Sequence, residues 1–287
     1  MPELPEVEIV KQSLIKSVQF KKITDVIIKN RNLRFKIERN LKKKIINKII
    51  NDVSRKSKYL ILKLGKNEFL VIHFGMSGTL HNVKNNNKFK TNLSFYSSKN
   101  LPLKHNHIFF LFKGFKVIYN DPRRFGFIKY FNSHKKLVYY FKNYGPDPFQ
   151  KKFNKKYIKG HLKNKKKNIK NLLLDQKFIS GIGNIYASEI LFYAKINPLK
   201  EGKDINNSEI VEFIKKTKFV LNKAIKNGGS SIRDFKNTKG KKGSYQDNFA
   251  VYDRENKKCK SKTCNSKIIK INISNRSTFI CNYCQKK

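Results

Sequence analysis

Hydrophobic positions near the start of the chain repeat with the period of an α-helix. Between Val7 and Val18 they recur at spacings of three and four residues, which places them on one face of a helix. From about Ile23 to Phe131 the pattern changes to short β-rich runs, separated by turn sequences such as LGKN and FKGF. The six runs are DVIIKN, KYLILKL, EFLVIHF, HIFFLF, KVIYN and FGFIKYF. They predict an antiparallel β-sandwich or barrel behind an N-terminal helix.

A segment rich in proline and glycine, NYGPDP at residues 143–148, separates the β-rich part from a helical part. The three helical segments that follow are NIKNLLLDQKFI, NIYASEILFYAKI and SEIVEFIKKTKFVLNKAIK. The fold class is therefore predicted to be α+β, with four parts along the chain. Their predicted bounds are 1–135 for the helix and β-sandwich, 145–236 for a helical domain, 237–250 for a polar loop or linker, and 251–285 for a cysteine-containing end.

Positive charge dominates the composition. The 287 residues include 65 Lys and Arg against 19 Asp and Glu, which gives a formal net charge of +46 at pH 7. Such an excess indicates a polyanionic partner, and nucleic acid is the first candidate. Lysine is also enriched by an AT-biased coding sequence, so the charge alone does not decide the function. The Lys/Asn-rich stretches at 82–92 and 163–170 are predicted to be exposed loops or basic faces.

The sequence contains no sign of a membrane segment. No window approaches 18 uninterrupted apolar residues, and the N-terminus lacks a basic region followed by an apolar one. We therefore expect a cytoplasmic protein, in which cysteine thiols stay reduced.

The four cysteines, Cys259, Cys264, Cys281 and Cys284, lie close together at the end of the chain. Four thiolates on two short knuckles are a tetrahedral ligand set for a structural zinc ion. The intervening segment KIIKINISNRSTFI alternates like a two-stranded hairpin. The tail is therefore predicted to be a β-hairpin zinc finger that binds one Zn²⁺, and four unpaired structural thiols are the alternative.

Three glycine-containing motifs carry candidate nucleic-acid contacts. GIGN at 181–184 opens a helix whose N-terminus can bind a phosphate, although it can also be a plain helix start. DPRRFG at 121–126 offers arginines to phosphates or base edges and a phenylalanine as a wedge, unless Phe125 belongs to the core. HFGMSG at 73–78 places Met76 on a loop between two glycines, where it can protrude.

The N-terminal sequence MPELPEVE contains a candidate nucleophile. A small second residue permits removal of Met1, which leaves Pro2 with a free secondary amine. Because an α-amino group has a pKa near 7.7–8.0, part of it is unprotonated at neutral pH and can form a Schiff base with a carbon electrophile. Glu3 and Glu6 are close by as acid or base. The alternative is a frayed terminus with an acid-capped helix.

Six motifs occur together in one order along the chain. They are MPELPEVE, SRKSKYLIL, HFGMSG, DPRRFG, ISGIGNIYASE and NRSTFICNYC, and they span Met1 to Cys284. Together they resemble the formamidopyrimidine-DNA glycosylase family. The resemblance implies a monomeric base-excision repair enzyme that removes oxidised purines, such as 8-oxoguanine and formamidopyrimidines, from double-stranded DNA. It also implies AP lyase activity by β,δ-elimination, a helix–two-turn–helix domain after the β-sandwich, and a terminal zinc finger.

The resemblance also assigns roles to individual residues. Pro2 matches the nucleophile that attacks C1′, Glu3 the catalytic acid and Glu6 a supporting carboxylate. Lys58 matches the proton donor for β-elimination, and Arg276 the arginine of δ-elimination. Positions that contact DNA or fill the space of the flipped base are matched by His73, Met76, His105, Arg123, Phe125, Lys165 and Asn184.

The chain departs from the family pattern at the first cysteine knuckle. The family has CxxC at both knuckles, whereas four residues separate Cys259 from Cys264 here. A longer knuckle can still chelate zinc, but a displaced Cys259 would destabilise the finger and misplace Arg276. Residues 238–246, TKGKKGSYQ, correspond to the family's loop over the damaged base.

Two rival functions remain open at this stage. A sister family that resembles endonuclease VIII prefers oxidised pyrimidines, but it usually has glycine where this chain has Leu4, and it lacks the Met/Arg/Phe trio. The other rival is a DNA-binding protein that has lost catalysis. The intact Pro2, Glu3 and Lys58 disfavour it, because a binding protein has no use for a free N-terminal proline.

Overall fold

The computed structural model describes residues 1–84, 90–92, 103–230 and 244–286. The chain divides into two compact units, and each unit takes two stretches of sequence. The first unit consists of residues 1–142 and 227–246, and the second of residues 143–226 and 247–287. Most of the predicted loop over the damaged base, residues 238–243, lies outside the described residues.

The first unit begins with helix α1, Leu4–Val18, as the apolar periodicity predicts. Proline is tolerated in the first turn, because the amide hydrogen that it lacks would have no partner within the helix. Glu3 is the N-cap residue and forms a capping box with Glu6, which satisfies amide groups at the helix start. The apolar face is buried, and its central members are Val7, Val10, Leu14 and Val18.

Two antiparallel sheets follow α1. Their strands are β1 (Asp25–Ile28), β2 (Ile50–Lys56), β3 (Tyr59–Leu64), β4 (Glu68–His73), β5 (Thr79–Lys84), β6 (Lys90–Asn92), β7 (Asn106–Phe112), β8 (Phe115–Asn120) and β9 (Phe127–Phe131). One sheet has the order β1-β7-β8-β5-β6 and the other β2-β3-β4-β9. This unit also contains two short α-helices, α2 (Leu41–Ile45) and α3 (His134–Tyr140), and a 3-10 helix at Leu103–His105. One apolar cluster takes residues from α1 and from both sheets, such as Leu14, Leu62 and Phe110, so the predicted β-sandwich is confirmed.

The Lys/Asn-rich stretch 82–92 was predicted to be an exposed loop or a basic face, and the loop alternative is wrong for part of it. β5 continues to Lys84, and β6 pairs with it antiparallel, with Val83 opposite Lys90 and Asn82 opposite Thr91. The backbone ladder with β8 on the other side of β5 explains why a polar sequence is extended here.

The second unit is helical, with a small hairpin at its end. Its helices are α4 (Lys155–Leu162), α5 (Ile169–Leu174), α6 (Asn184–Tyr193) and α7 (Asn207–Lys226), and its strands are β10 (Ile269–Ile273) and β11 (Arg276–Ile280). The helix predicted across NIKNLLLDQKFI ends early, at Leu174. The Gln176 side chain closes the following turns, because its amide donates to the Ile182 carbonyl oxygen and accepts from the Gly181 amide, both at 2.8 Å. Within the described ranges, no helix is both long enough and apolar enough to cross a membrane.

Lys170 contradicts the prediction that the stretch 163–170 is exposed. Its side chain is fully buried. The Nζ atom donates to Thr278 Oγ1 at 2.5 Å and to the Ser277 carbonyl oxygen at 3.3 Å. A buried ammonium group requires such partners, and here they belong to β11. The lysine thus attaches α5 to the terminal hairpin.

Candidate active site

Charged side chains are buried at the N-terminal end of α1. Glu3, Glu6 and Lys58 are 3%, 2% and 5% exposed. Pro2, which directly precedes Glu3, is buried as well. The Glu6 carboxylate accepts from the Glu3 amide at 2.9 Å through Oε2. Its Oε1 atom accepts from both the amide and the hydroxyl of Ser230, each at 2.9 Å. Glu6 therefore fixes the start of α1 and joins it to a segment that is distant in sequence.

These groups act on the N-terminal amine electrostatically. Burial lowers the pKa of the Met1 α-amino group; Glu3 and Glu6 oppose this shift, whereas Lys58 and Arg123 add to it. A lowered pKa leaves more of an amine unprotonated at neutral pH, as a nucleophile requires. The structure therefore brings four of the residues singled out in the sequence to the N-terminal amine, although they come from different motifs.

His73 stands at the end of β4 on the same unit. It is buried and stacked on Phe127, with ring centroids 5.2 Å apart, and its Nδ1 accepts from the Gly75 amide at 3.1 Å. Burial, together with the Lys58 and Arg34 charges, lowers the pKa of His73 to about 4. The imidazole is therefore neutral at physiological pH.

We expect His73 to make the protein less stable in acid. The unfolded chain protonates this histidine below pH 6.5, whereas the folded chain protonates it only near pH 4. Stability is therefore lost as the pH falls from about 6.5 to about 4, by about 3 kcal/mol for this group. Urea unfolding at pH 7 and pH 4 should show a smaller loss for His73→Gln than for the unchanged protein. Equal losses in the two proteins would contradict the assignment.

Asp121 ties the HFGMSG and DPRRFG loops together. This buried residue accepts from the Ser77 hydroxyl at 2.5 Å through Oδ1 and from the Gly126 amide at 2.8 Å through Oδ2. Gly75 has a φ of +56° and lies close to the second loop. A Cβ added to it would be 2.3 Å from the Phe125 carbonyl carbon. Only glycine fits such a contact. The two motifs thus form one surface.

The two hydrophobic residues of that surface are exposed. Met76 is 41% exposed and Phe125 is 45% exposed, which rules out the alternative that Phe125 belongs to the core. The Arg123 guanidinium lies 4.7 Å from the centroid of the Phe125 ring. The His105 carbonyl oxygen accepts from the Asp121 amide at 3.0 Å, so His105 borders the same loop.

The second unit brings Asn184 and Arg276 to one place. Asn184 begins α6, and its Nδ2 donates to the Ser277 carbonyl oxygen at 3.0 Å. Arg276 is exposed at the start of β11, directly after Ser274 and Asn275, whose φ angles of 49° and 58° form the tight hairpin turn. Lys165 is exposed on a separate turn after α4.

The four cysteine sulfurs form one cluster. All four Sγ atoms lie within 4.8 Å of one another, with Cys259 3.9 Å from Cys284 and Cys264 3.6 Å from Cys281. Tetrahedral zinc with ~2.3 Å bonds requires sulfurs ~3.8 Å apart. The longer first knuckle closes because the Cys264 amide donates to the Ser261 carbonyl oxygen at 3.1 Å. The cluster can therefore hold a metal ion despite the two extra residues.

Comparison with known proteins places this architecture in a family. Residues 1–128 match the formamidopyrimidine-DNA glycosylase N-terminal domain, and residues 144–236 match the formamidopyrimidine-DNA glycosylase H2TH domain. A formamidopyrimidine-DNA glycosylase of Rickettsia bellii is 42% identical over 287 residues, which is 100% of both chains. The chain belongs to the formamidopyrimidine-DNA glycosylase family. The sequence resemblance is thus confirmed, and the chain is an enzyme of the DNA glycosylase class.

Other members of the formamidopyrimidine-DNA glycosylase family agree over the full length. The Wolbachia pipientis (subspecies Culex pipiens) relative is 40% identical over 99% of this chain and 100% of its own. The Lactococcus lactis Fpg in complex with DNA containing an abasic site has a TM-score of 0.87 and 33% identity, covering 99% of this chain and 100% of that one. A mutant of the same enzyme with DNA containing Fapy-dG also has a TM-score of 0.87, at 33% identity and full coverage of both chains.

Two residues of this glycosylase's site escaped the sequence analysis. Ser230 binds Glu6, and Asp121 binds both Ser77 and Gly126. Asp121 had a weak signal, because an aspartate before proline is typical of a turn. Ser230 had none, because its role depends entirely on a contact with a helix more than 200 positions earlier.

Proposed function

We propose that this chain is a bifunctional DNA glycosylase and AP lyase that excises oxidised purines from double-stranded DNA and nicks the strand through a Schiff base on Pro2. The observation that carries the proposal is the buried cluster of Glu3, Glu6 and Lys58 at the N-terminus, where burial lowers the pKa of the Met1 amine; removal of Met1 would leave the Pro2 amine next to the same charged groups. A structural terminus has no need to bury three charged side chains, since each burial is costly.

The chemistry begins on a nucleotide turned out of the helix, because C1′ is inaccessible in stacked duplex DNA. The Pro2 nitrogen forms a bond to C1′ as the bond from C1′ to the base breaks, and the amine proton leaves with the base. Proton donation from Glu3 to O4′ then opens the sugar ring and produces an iminium at C1′. Glu6, held by Ser230, keeps Glu3 in place.

Strand cleavage follows from the iminium. It withdraws electrons from C2′, so loss of a C2′ proton expels the 3′-phosphate, and Lys58 donates a proton to this leaving group. Loss of a C4′ proton then expels the 5′-phosphate, with Arg276 as the cation that binds it. The iminium acts as the electron sink, so these steps need no cofactor.

The exposed loops account for DNA binding. Met76, Arg123 and Phe125 form a wedge that fills the space of the extruded base and offsets part of the cost of extrusion. Phosphate contacts come from His105, Lys165, Asn184 and Arg276, and His73 acts as a neutral hydrogen-bonding group. Because cations on phosphates release counterions, affinity falls with salt by a log–log slope of about −0.9 per phosphate neutralised.

The cysteine cluster fits one structural Zn²⁺, since its sulfur spacing matches tetrahedral coordination. Four protein ligands leave no open position for catalysis. The metal would join the two knuckles at the base of the β10–β11 hairpin that presents Arg276. We expect a monomer in the cytoplasm.

Oxidised pyrimidines are a second candidate substrate class. The wild-type Lactococcus lactis Fpg, at 32% identity and with a TM-score of 0.86, is described in complex with DNA containing an oxidised pyrimidine. A relative of this architecture therefore binds DNA that contains such a base.

Substrate preference tests the proposal. On duplexes with 8-oxoguanine opposite cytosine, we expect base release and a nick, with kcat/KM at least about 10-fold above that for a dihydrothymine duplex. Gel analysis of end-labelled strands measures the nick, and the fragment that ends in a 3′-phosphate identifies δ-elimination; chromatography of the supernatant measures the released base. Faster cleavage of the dihydrothymine duplex would favour oxidised pyrimidines as the substrate class. If neither duplex is cleaved, the proposed glycosylase and AP lyase activity is wrong.

A further inference from the structure

Lys58 sits in a tight turn that another side chain holds. β2 ends at Lys56 and β3 begins at Tyr59, so Ser57 and Lys58 alone connect the two strands. Arg55 Nη1 donates to the Ser57 carbonyl oxygen at 3.0 Å. That oxygen belongs to the peptide group that joins Ser57 to Lys58. The arginine thus fixes the orientation of the peptide from which Lys58 departs.

The turn needs such support. Ser57 is fully buried and has φ 55°, in the left-handed region that favours glycine. A non-glycine residue persists there when the surrounding structure fixes it. The neighbouring register pairs, Lys56 with Tyr59 and Arg55 with Leu60, hold the two strand ends, and the guanidinium holds the turn itself.

Arg55 is in turn fixed by α1. Its Nε atom lies 2.8 Å from Glu8 Oε2, and the two side chains are 7% and 13% exposed. Lys11 Nζ lies 2.5 Å from the other Glu8 oxygen. Burial raises the pKa of Glu8, but hydrogen bonds from Lys11 and Arg55 outweigh it and leave the pKa below its usual value. Glu8 is therefore ionised and binds the guanidinium as a carboxylate.

We propose that Glu8 and Arg55 are positioning residues that set the place of Lys58 relative to the N-terminal amine. The N-terminal amine lies just before α1, and Glu8 lies one turn into that helix. The ion pair therefore holds the Ser57–Lys58 turn against the helix that follows the amine. The inference rests on the proposed function, in which Lys58 donates a proton during strand cleavage.

Arg55→Lys and Glu8→Gln test the inference on a duplex with a preformed abasic site. Lysine keeps the charge but cannot span the carboxylate and the carbonyl as a planar fork does. A small displacement of a catalytic group is costly, so we expect the kcat of nicking to fall about 10- to 100-fold in each variant. KM should stay within about 3-fold, because DNA-contacting side chains are untouched.

Glu68→Gln is the matched control. Glu68 also pairs with a lysine of the first unit, Lys48 at 2.7 Å, but not with the Lys58 turn. The control should keep the full nicking rate. All variants are assayed below their thermal midpoints, so that a loss of kcat reflects folded protein. An unchanged kcat in Arg55→Lys and Glu8→Gln would overturn the inference.

A double-mutant cycle separates positioning from general weakening of the fold. Lys58→Met alone should lower nicking, and adding Arg55→Lys to it should lower nicking no further than about 2-fold if Arg55 acts through Lys58. A second full loss in the double variant would overturn the inference while leaving the proposed function intact. If Lys58→Met nicks at the normal rate, the assignment of Lys58 fails, and the inference fails with it.

Discussion

Retention of Met1 is expected to abolish the covalent intermediate. In Pro2→Leu, a large second residue prevents removal of Met1, so no free amine remains at position 2. Consecutive Cα atoms lie about 3.8 Å apart, and the Met1 amine is therefore misplaced by about that distance. Borohydride trapping on a duplex with 8-oxoguanine opposite cytosine should fall by at least about 10³-fold, because attack depends on a closely oriented nucleophile.

Pro2→Gly is the matched control for this variant. Its small second residue allows Met1 removal and leaves a primary amine at the same position, which can still form an imine. We expect a measurable adduct at a reduced rate, and mass spectrometry verifies that Met1 is absent. Undiminished trapping in Pro2→Leu would show that the nucleophile is another amine, and Lys58 would be the first to examine.

Loss of one cysteine is expected to remove both the metal and the DNA affinity of the second unit. Cys281 is fully buried in the cluster of four sulfurs. Structural zinc contributes an apparent ~10–16 kcal/mol of binding free energy in small fingers. In Cys281→Ser we therefore expect a zinc content well below one ion per chain. The Kd for DNA should rise at least about 100-fold, since the Arg276 hairpin loses its base.

Asn282→Ser provides the comparison, because this exposed neighbour lies between Cys281 and Cys284 without being a ligand candidate. It should retain about one zinc per chain and normal affinity in metal analysis and fluorescence-anisotropy titration. Zinc retained in Cys281→Ser, with unchanged DNA binding, would refute the finger as the support of Arg276.

The sequence alone predicted the strongly apolar elements of the fold. Runs such as KYLILKL and EFLVIHF became β3 and β4 because nearly every side chain in them is buried. It missed β2, an edge strand in which only Ile50 and Val53 are buried, since an edge strand needs few apolar residues once its backbone pairs with β3. It also missed α4, whose buried apolar residues are only Ile158 and Leu162.

The abundance of lysine was the poorest predictor of which lysine side chains are buried. Lys58 and Lys170 are buried, whereas many other lysines of this chain are exposed. The sequence around these two lysines does not distinguish them from the exposed ones. Their burial depends on partners that lie elsewhere in the chain, such as Thr278 for Lys170. The motif SRKSKYL identified Lys58 only through the family resemblance.

By itself, the sequence determined the family, the β-sandwich with its leading helix, and the identity of the candidate residues from Pro2 to Arg276. These follow from local periodicity and from motifs, each contained within a few consecutive residues. Only the tertiary structure decided that Glu6 meets Ser230, that Asp121 joins two loops, and that Arg55 links Glu8 to the Ser57 carbonyl oxygen. Such contacts join segments distant in sequence, and no local pattern encodes them, because a buried charge is specified by the partner that folding brings to it.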